Sequence, residues 1–94
     1  MPGVPRQPDP PWIIEERQRL GVRVREAREY ANLTQEGLEE RSGVKRLTLQ
    51  RIESGSTDAR ISWLMRIAHA LDLPVTEFLP QSRPPGPPNR RAEP

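Results

Sequence analysis

The sequence predicts an all-helical domain between two proline-rich segments, and three observations support this prediction. Apolar residues recur every three or four positions between residues 12 and 79, which is the period of an α-helix with one buried face. No stretch alternates convincingly as a β-strand would. Of the 12 prolines, only Pro74 lies within residues 12–79. We therefore expect one compact domain at 12–79, with a disordered arm at 1–11 and a disordered tail at 80–94.

Helix caps and turn residues divide this domain into five predicted helices. The first is expected to be capped by Asp9 and to end near Asn32. Gly21 lies inside it, and glycine weakens a helix interior by roughly 1 kcal/mol relative to alanine. Thr34 is the expected cap of a second helix, which covers residues 35–42.

Two glycines flank a third predicted helix, which covers residues 45–54. Gly43 and Gly55 suit the left-handed backbone conformation that commonly ends a helix. A fourth helix carries an apolar stripe, and a short fifth helix follows Pro74, whose fixed φ suits a first helical turn. The apolar residues of these two helices are Leu64, Ile67, Ala68 and Leu71 in the fourth, and Val75, Phe78 and Leu79 in the fifth.

The composition argues against enzymatic and metal chemistry. The chain has 94 residues and no cysteine, which excludes disulfides and thiolate metal ligands. Its one histidine, His69, has no metal-ligand cluster around it, and its six glycines form no phosphate-binding loop. A domain of this size cannot also enclose a large substrate pocket. We therefore expect neither an enzyme nor a bound metal or cofactor.

The net charge of +2 does not by itself indicate a nucleic-acid partner. Basic and acidic residues are equal in number within residues 12–79, so only a local patch of charge could attract DNA. The N-terminus lacks the features of a signal peptide, and no apolar run approaches the ~18 residues that span a bilayer. We therefore expect a cytoplasmic protein with no membrane partner.

Residues 34–55 combine a helix of about two turns, a glycine turn and a second helix, which is the signature of a helix-turn-helix. At 100° per residue, Leu49 and Ile52 define the buried side of the third helix. The residues that then point outward are Leu47, Gln50, Arg51 and Ser54, with Arg46 and Thr48 on the flanks. Arginine can pair with guanine and glutamine with adenine in the major groove. The same residues also suit a helix face that contacts only water, and Leu47 also suits a protein partner.

Glu53 is expected on the core side of the third helix, where an unpaired carboxylate would be costly. Arg28 lies on the apolar side of the first helix and is the best candidate partner. We therefore predict a partly buried Arg28–Glu53 ion pair that ties the third helix to the scaffold.

The stretch from Leu20 to Leu79 resembles the phage lambda-repressor/Cro (XRE) family of helix-turn-helix proteins. The resemblance implies a five-helix bundle whose third helix enters the major groove. The matching residues are Leu20-Gly21, Arg25, Arg28, Leu33-Thr34-Gln35-Glu36, Leu38, Ser42-Gly43-Val44, Leu49, Arg51-Ile52-Glu53, Gly55, Leu64, Ile67-Ala68, Ala70-Leu71 and Phe78-Leu79.

This resemblance also implies roles for individual residues. In the family, the glutamine that opens the second helix contacts a phosphate, and the loop before the fourth helix often does so too. The third helix reads bases from its start and from one turn later, and an Arg–Glu pair matches Arg28 and Glu53. The implied base-reading residues are Arg46, Leu47, Gln50 and Arg51, and the expected phosphate-binding residues are Gln35, Lys45, Thr48 and Arg60.

Three residues depart from the family pattern. Glu39 stands where a small alanine is usual, at the close crossing of the second and third helices, so its carboxylate must reach solvent or open the crossing. Lys45 replaces the usual serine or threonine cap, which costs the third helix roughly 1 kcal/mol. Ala59 stands where proline is common.

The residues and the resemblance together predict a bacterial or phage transcriptional regulator, a repressor, that binds double-stranded DNA. A homodimer is expected, because one short helix reads too few base pairs for useful specificity. By family analogy its contact surface is the fifth helix, with Val75, Phe78 and Leu79. Two alternatives stay open: an antitoxin whose main partner is a toxin, and a protein-interaction module that uses this fold without binding DNA.

Overall fold

The computed structural model describes residues 8–80, and it is all-helical over that range, with no β-strand. The all-helical prediction is therefore confirmed for this part of the chain, whereas residues 1–7 and 81–94 of the expected arm and tail lie outside it. No helix within residues 8–80 is both long and apolar enough to cross a membrane. The elements are α1 (Pro11–Tyr30), α2 (Gln35–Ser42), α3 (Arg46–Ser54), α4 (Ile61–Ala70) and a 3₁₀ turn (Val75–Glu77).

The first helix begins differently from the prediction. Pro10, and not Asp9, occupies the cap position, with an extended backbone and no side-chain cap. A residue that precedes a proline disfavours helical angles, so Pro10 stays extended because Pro11 follows it. Pro11 then opens the helix, where its missing N–H costs nothing. The Asp9 carboxylate instead accepts a hydrogen bond from Arg17, and the two residues form an exposed ion pair.

Left-handed backbone conformations and one side-chain cap define the turns around α2 and α3. Helix α1 ends at Tyr30, two residues earlier than expected, and Asn32 in the turn that follows has a φ of 59°. The hydroxyl of Thr34 accepts a hydrogen bond from the Gly37 amide at 2.9 Å, so the predicted cap of α2 is confirmed. Gly43 and Gly55 adopt φ of 79° and 77° and end α2 and α3, as predicted.

The core lies between the four helices and the 3₁₀ turn, and each element contributes apolar side chains to it. Its position explains why the third helix can present one face to solvent, since only the other face is needed for packing. The buried apolar residues are Val24, Leu38, Val44, Leu49, Ile52, Leu64, Ile67, Ala68 and Phe78.

The short fifth helix that was predicted is present only as a single 3₁₀ turn, and not as an α-helix. Pro80 follows closely and cannot continue a helix, and so short a segment gains too little from isolated helical hydrogen bonds. The side chain of Phe78 is only 1% exposed, and its neighbours Val75 and Leu79 pack against the core. The ring of Phe78 is therefore not available for the expected dimer contact, whereas Val75 and Leu79 are half-buried.

The approach of α1 to α3 depends on Gly21. A Cβ atom at this position would lie 2.4 Å from the carbonyl oxygen of Ile52 and 2.5 Å from that of Glu53. Both contacts are to backbone, which cannot move aside as the end of a flexible side chain can. The glycine that weakens α1 in isolation thus permits the packing that holds α3.

We expect Gly21→Ala to destabilise the domain although alanine is the better helix former. Separating α1 from α3 costs about 1–3 kcal/mol, as overpacked sites generally do, and this exceeds the roughly 1 kcal/mol gained in helix propensity. Thermal denaturation followed by circular dichroism measures the difference. Gly37→Ala is the control, since its Cβ would meet only side-chain atoms, at 3.3 Å. A Gly21→Ala variant that melts at or above the parent would contradict the argument.

Candidate nucleic-acid interface

The outward side of α3 forms an exposed polar face, which we call the α3 face. It consists of Arg46, Leu47, Gln50, Arg51 and Ser54, all of them exposed. Leu47 alone among its members is apolar, and its side chain is 53% exposed. The opposite side carries Leu49 and Ile52, which are 0% and 1% exposed. One side of α3 therefore packs against the core, and the opposite side faces solvent.

The two central polar side chains of the α3 face are free of intramolecular partners. Within residues 8–80 no hydrogen bond or ion pair holds the side chains of Gln50 or Arg51. The carbonyl of Arg51, in contrast, accepts hydrogen bonds from the Ser56 amide at 2.9 Å and the Ser54 hydroxyl at 3.2 Å. The backbone is thus fixed while the guanidinium and amide groups remain available to a ligand.

Arg46, at the start of α3, has one intramolecular partner. Its Nε lies 3.6 Å from the carboxylate of Glu36 on α2, and both side chains are more than half exposed. An ion pair of this kind contributes at most about 1 kcal/mol, because water screens it. Arg46 can therefore exchange the Glu36 carboxylate for another anion at little cost in free energy. Lys45 is exposed beside it, and Thr48 is half-buried.

A partly buried ion pair joins α3 to α1. Arg28 donates from Nε to Glu53 Oε2 at 2.7 Å and from Nη2 to Oε1 at 3.0 Å, a two-pronged contact. Its third nitrogen donates to the carbonyl of Leu33 at 2.7 Å. The side chains of Arg28 and Glu53 are only 12% and 6% exposed. The hydrogen bond to Glu53 raises the pKa of Arg28 against the opposing effect of burial, so the guanidinium remains charged.

Gln35 joins this pair into a three-residue cluster, which we call the Arg28–Glu53–Gln35 cluster. Its side-chain amide donates to Glu53 Oε1 at 3.1 Å. Sequence reasoning missed this contact, because nothing in the spacing places the first residue of α2 beside the last turn of α3. The amide has a second N–H, which leaves Gln35 one donor for a phosphate.

Arg60, the remaining expected phosphate ligand, stands at the cap position of α4. Its guanidinium carbon lies 5.3 Å from the centre of the half-buried Trp63 ring, a cation–π contact. The sequence contained a signal for this contact, since residues three apart share one face of a helix. The ring positions an exposed cation that is otherwise free within residues 8–80.

The three departures from the family pattern are accommodated. Glu39 is half-buried, and its carboxylate reaches water, since among residues 8–80 the one buried side-chain oxygen without a partner belongs to Glu16. Lys45 makes no side-chain cap on α3. Ala59 is half-buried and packs against the core. No group of three or more potential metal ligands occurs in the described part of the chain.

We expect Glu53→Gln to lower the free energy of unfolding by about 3 kcal/mol, because it leaves the Arg28 charge buried without a counterion. Chemical denaturation measures the loss. Glu29→Gln is the matched control, since Glu29 pairs with Arg25 at 3.3 Å on an exposed surface and its loss should cost less than about 1 kcal/mol. Equal losses in the two variants would show that the Arg28–Glu53 pair contributes no more to the free energy of unfolding than the exposed pair.

Comparison with known proteins identifies the family. The model of a helix-turn-helix domain family matches residues 19–79. No curated protein matches the chain. One similar solved structure is the restriction-modification controller protein C.AhdI from Aeromonas hydrophila, at 29% identity and a TM-score of 0.67. The similarity covers 69% of this chain and 98% of that one.

A second similar structure is an HTH_3 family transcriptional regulator from Vibrio cholerae. It is 21% identical with a TM-score of 0.67, and the similarity covers 70% of this chain and 37% of that one, so it shows the fold alone. The TM-scores show that both structures share the fold of this chain over the matched residues. From the family match over residues 19–79, we conclude that the chain belongs to the helix-turn-helix domain family, in agreement with the resemblance noted in the sequence.

Proposed function

We propose that the protein binds double-stranded DNA, places α3 in the major groove and regulates transcription. The observation that carries this proposal is the α3 face, with unpaired Gln50 and Arg51 side chains on a helix that two other helices brace. A helix with side chains is 10–12 Å across, and the major groove is about 12 Å wide. One of the similar structures, C.AhdI, is a restriction-modification controller protein, which supports a regulatory role for this chain.

The α3 face supplies the groups that distinguish base pairs. We assign base contacts to Arg46, Leu47, Gln50 and Arg51. Arginine offers two parallel donors to the O6 and N7 atoms of guanine, and glutamine matches the N6 and N7 atoms of adenine. Leu47, exposed among these polar groups, suits the methyl group of thymine.

A second set of residues, on the borders of the α3 face, is assigned to the phosphates. Gln35 keeps one amide N–H free, and Arg60 is positioned by Trp63. Exposed Lys45 and half-buried Thr48 complete this set at the start of α3. Contacts of this type fix the register of a protein on the duplex without reading its sequence.

We further propose that the protein binds as a homodimer that acts as a repressor. Ile61 and Met65 are 56% and 54% exposed and lie one turn apart on α4, so they form an apolar pair on one face. This pair replaces Phe78 as the candidate contact. Two copies would read half-sites about 34 Å apart. A dimer covering such a site blocks access of other proteins to a promoter beneath it.

Leu47 also favours a second candidate function, a protein-interaction module of the same fold. An exposed leucine at the centre of a helix face suits an apolar pocket on a partner as well as a thymine methyl. Binding to DNA separates the two functions, since a protein-interaction module has no duplex affinity that depends on salt.

We expect Arg51→Ala and Arg60→Ala to weaken DNA binding in different ways. Loss of Arg51 removes a base contact, so sites selected from random duplexes should lose their preference at one position, worth about 1–3 kcal/mol. Loss of Arg60 removes a phosphate contact and should weaken every sequence alike. Arg19→Ala, which removes an exposed cation from α1, serves as the control. Identical selection profiles for the first two variants would contradict this division.

The salt dependence of binding counts the phosphate contacts. With about four contacts per subunit, the logarithm of the association constant should fall with the logarithm of salt concentration at a slope near −3.6 per subunit. Fluorescence anisotropy with a labelled duplex measures this slope, and Arg60→Ala should make it shallower by about 1. A parent protein whose binding ignores salt would contradict the assignment of Gln35, Lys45, Thr48 and Arg60.

A further inference from the structure

A polar groove of about 370 Å³ lies beside the α3 face, where α1, the start of α2 and the second half of α3 meet. It shares Gln50 and Ser54 with the α3 face, and Gln35 with the residues assigned to phosphates. Arg25 lines the same groove from α1, although no base or phosphate contact has been assigned to it. The groove therefore continues the proposed interface onto α1.

Two arginines and two glutamates line this groove, and they form two separate ion pairs. The side chains of Arg28 and Glu53 are only 12% and 6% exposed, and they are satisfied by each other, by Leu33 and by Gln35. The side chains of Arg25 and Glu29, in contrast, are 61% and 53% exposed. The groove therefore offers a ligand one accessible cation, with one accessible anion beside it.

The guanidinium of Arg25 is only partly used within the domain. Its Nε donates to Glu29 Oε2 at 3.3 Å, and no other hydrogen bond or ion pair of this side chain occurs within residues 8–80. A guanidinium carries five N–H donors, so both terminal nitrogens of Arg25 remain free to donate. Because water screens an exposed ion pair, the contact with Glu29 is weak. A stronger anion in the groove can therefore take the place of the carboxylate.

The position of the groove favours a phosphate of the duplex as that anion. A helix in the major groove lies between the two sugar–phosphate strands, so side chains beside its reading face meet phosphates more readily than base edges. Arg25 stands on α1, which packs against α3 on the side away from the α3 face, at Gly21. Gln35, already assigned to a phosphate, lines the same groove, which places Arg25 beside the same strand. Arginine also matches a phosphate with two parallel N–H donors.

We propose that Arg25 binds a backbone phosphate of the duplex in this groove, and that Glu29 limits the affinity by competing for the same guanidinium. Binding exchanges the carboxylate for the phosphate on the terminal nitrogens of Arg25. This inference rests on the proposed function, which it extends from α2 and α3 to α1. Loss of Arg25 therefore weakens binding, whereas loss of the Glu29 charge strengthens it.

Fluorescence anisotropy with a labelled duplex tests the proposal, with the Arg19–Glu15 pair as the matched control. That pair has the same four-residue spacing on α1 and is also exposed, but it does not line the groove. We expect Arg25→Ala to lower the association constant about tenfold and to make the salt slope shallower by about 0.9. Glu29→Gln should raise the association constant about two- to fivefold. Arg19→Ala and Glu15→Gln change the net charge equally and should have much smaller effects.

A double variant tests the competition itself. In an Arg25→Ala background, Glu29→Gln should lose most of its gain in affinity, because the guanidinium for which Glu29 competes is gone. Equal effects of the two pairs, or a gain from Glu29→Gln that persists in full without Arg25, would overturn the proposal. If Arg60→Ala still weakens binding in that case, the proposed function stands and only the contact on α1 is lost. A parent protein that binds no duplex would overturn both.

Discussion

The orientation of α3 depends above all on the hydrogen-bonded ion pair between Arg28 and Glu53. A helix of nine residues is too short to be stable alone, so tertiary contacts must fix both its existence and its direction. The ion pair holds its last turn against α1, and Gly21 lets the two backbones come close enough for that contact. Gln35 extends the same contact to α2. One cluster thus positions both helices of the helix-turn-helix.

This arrangement separates the work of holding α3 from the work of recognition. Leu49, Ile52 and Glu53 face inward and are satisfied within the domain, by apolar packing or by Arg28. Gln50 and Arg51 face outward, and their side-chain polar groups have no partner within residues 8–80. A ligand at the α3 face therefore meets side chains whose backbone is already fixed, which lowers the entropy lost on binding. Substitutions on the outer face can change recognition without loosening the fold.

Local signals were enough to predict much of this structure. The apolar period gave the four helices, and Thr34, Gly43 and Gly55 gave the turns because caps depend on nearby residues. The long-range features were harder to predict. A glycine inside a helix looks like a weakness until its partner backbone is known, as at Gly21. The contact of Gln35 was also hidden, because its partner Glu53 lies on another helix. Burial of Phe78 was hard to predict because it requires only one 3₁₀ turn. The unpaired oxygen of Glu16 leaves no trace in the sequence.

The most direct test of the central claim is a titration of isotope-labelled protein with duplex DNA at low salt, followed through its backbone amide resonances. The proposed interface predicts the largest shifts at residues 46–51 and at the start of α2, with the resonances of the 3₁₀ turn (Val75–Glu77) much less affected. The ion pair of Arg28 and Glu53 should persist in the complex, because it orients the helix without touching the duplex. Shifts centred on the 3₁₀ turn, or no shifts with any duplex, would contradict this placement of the interface.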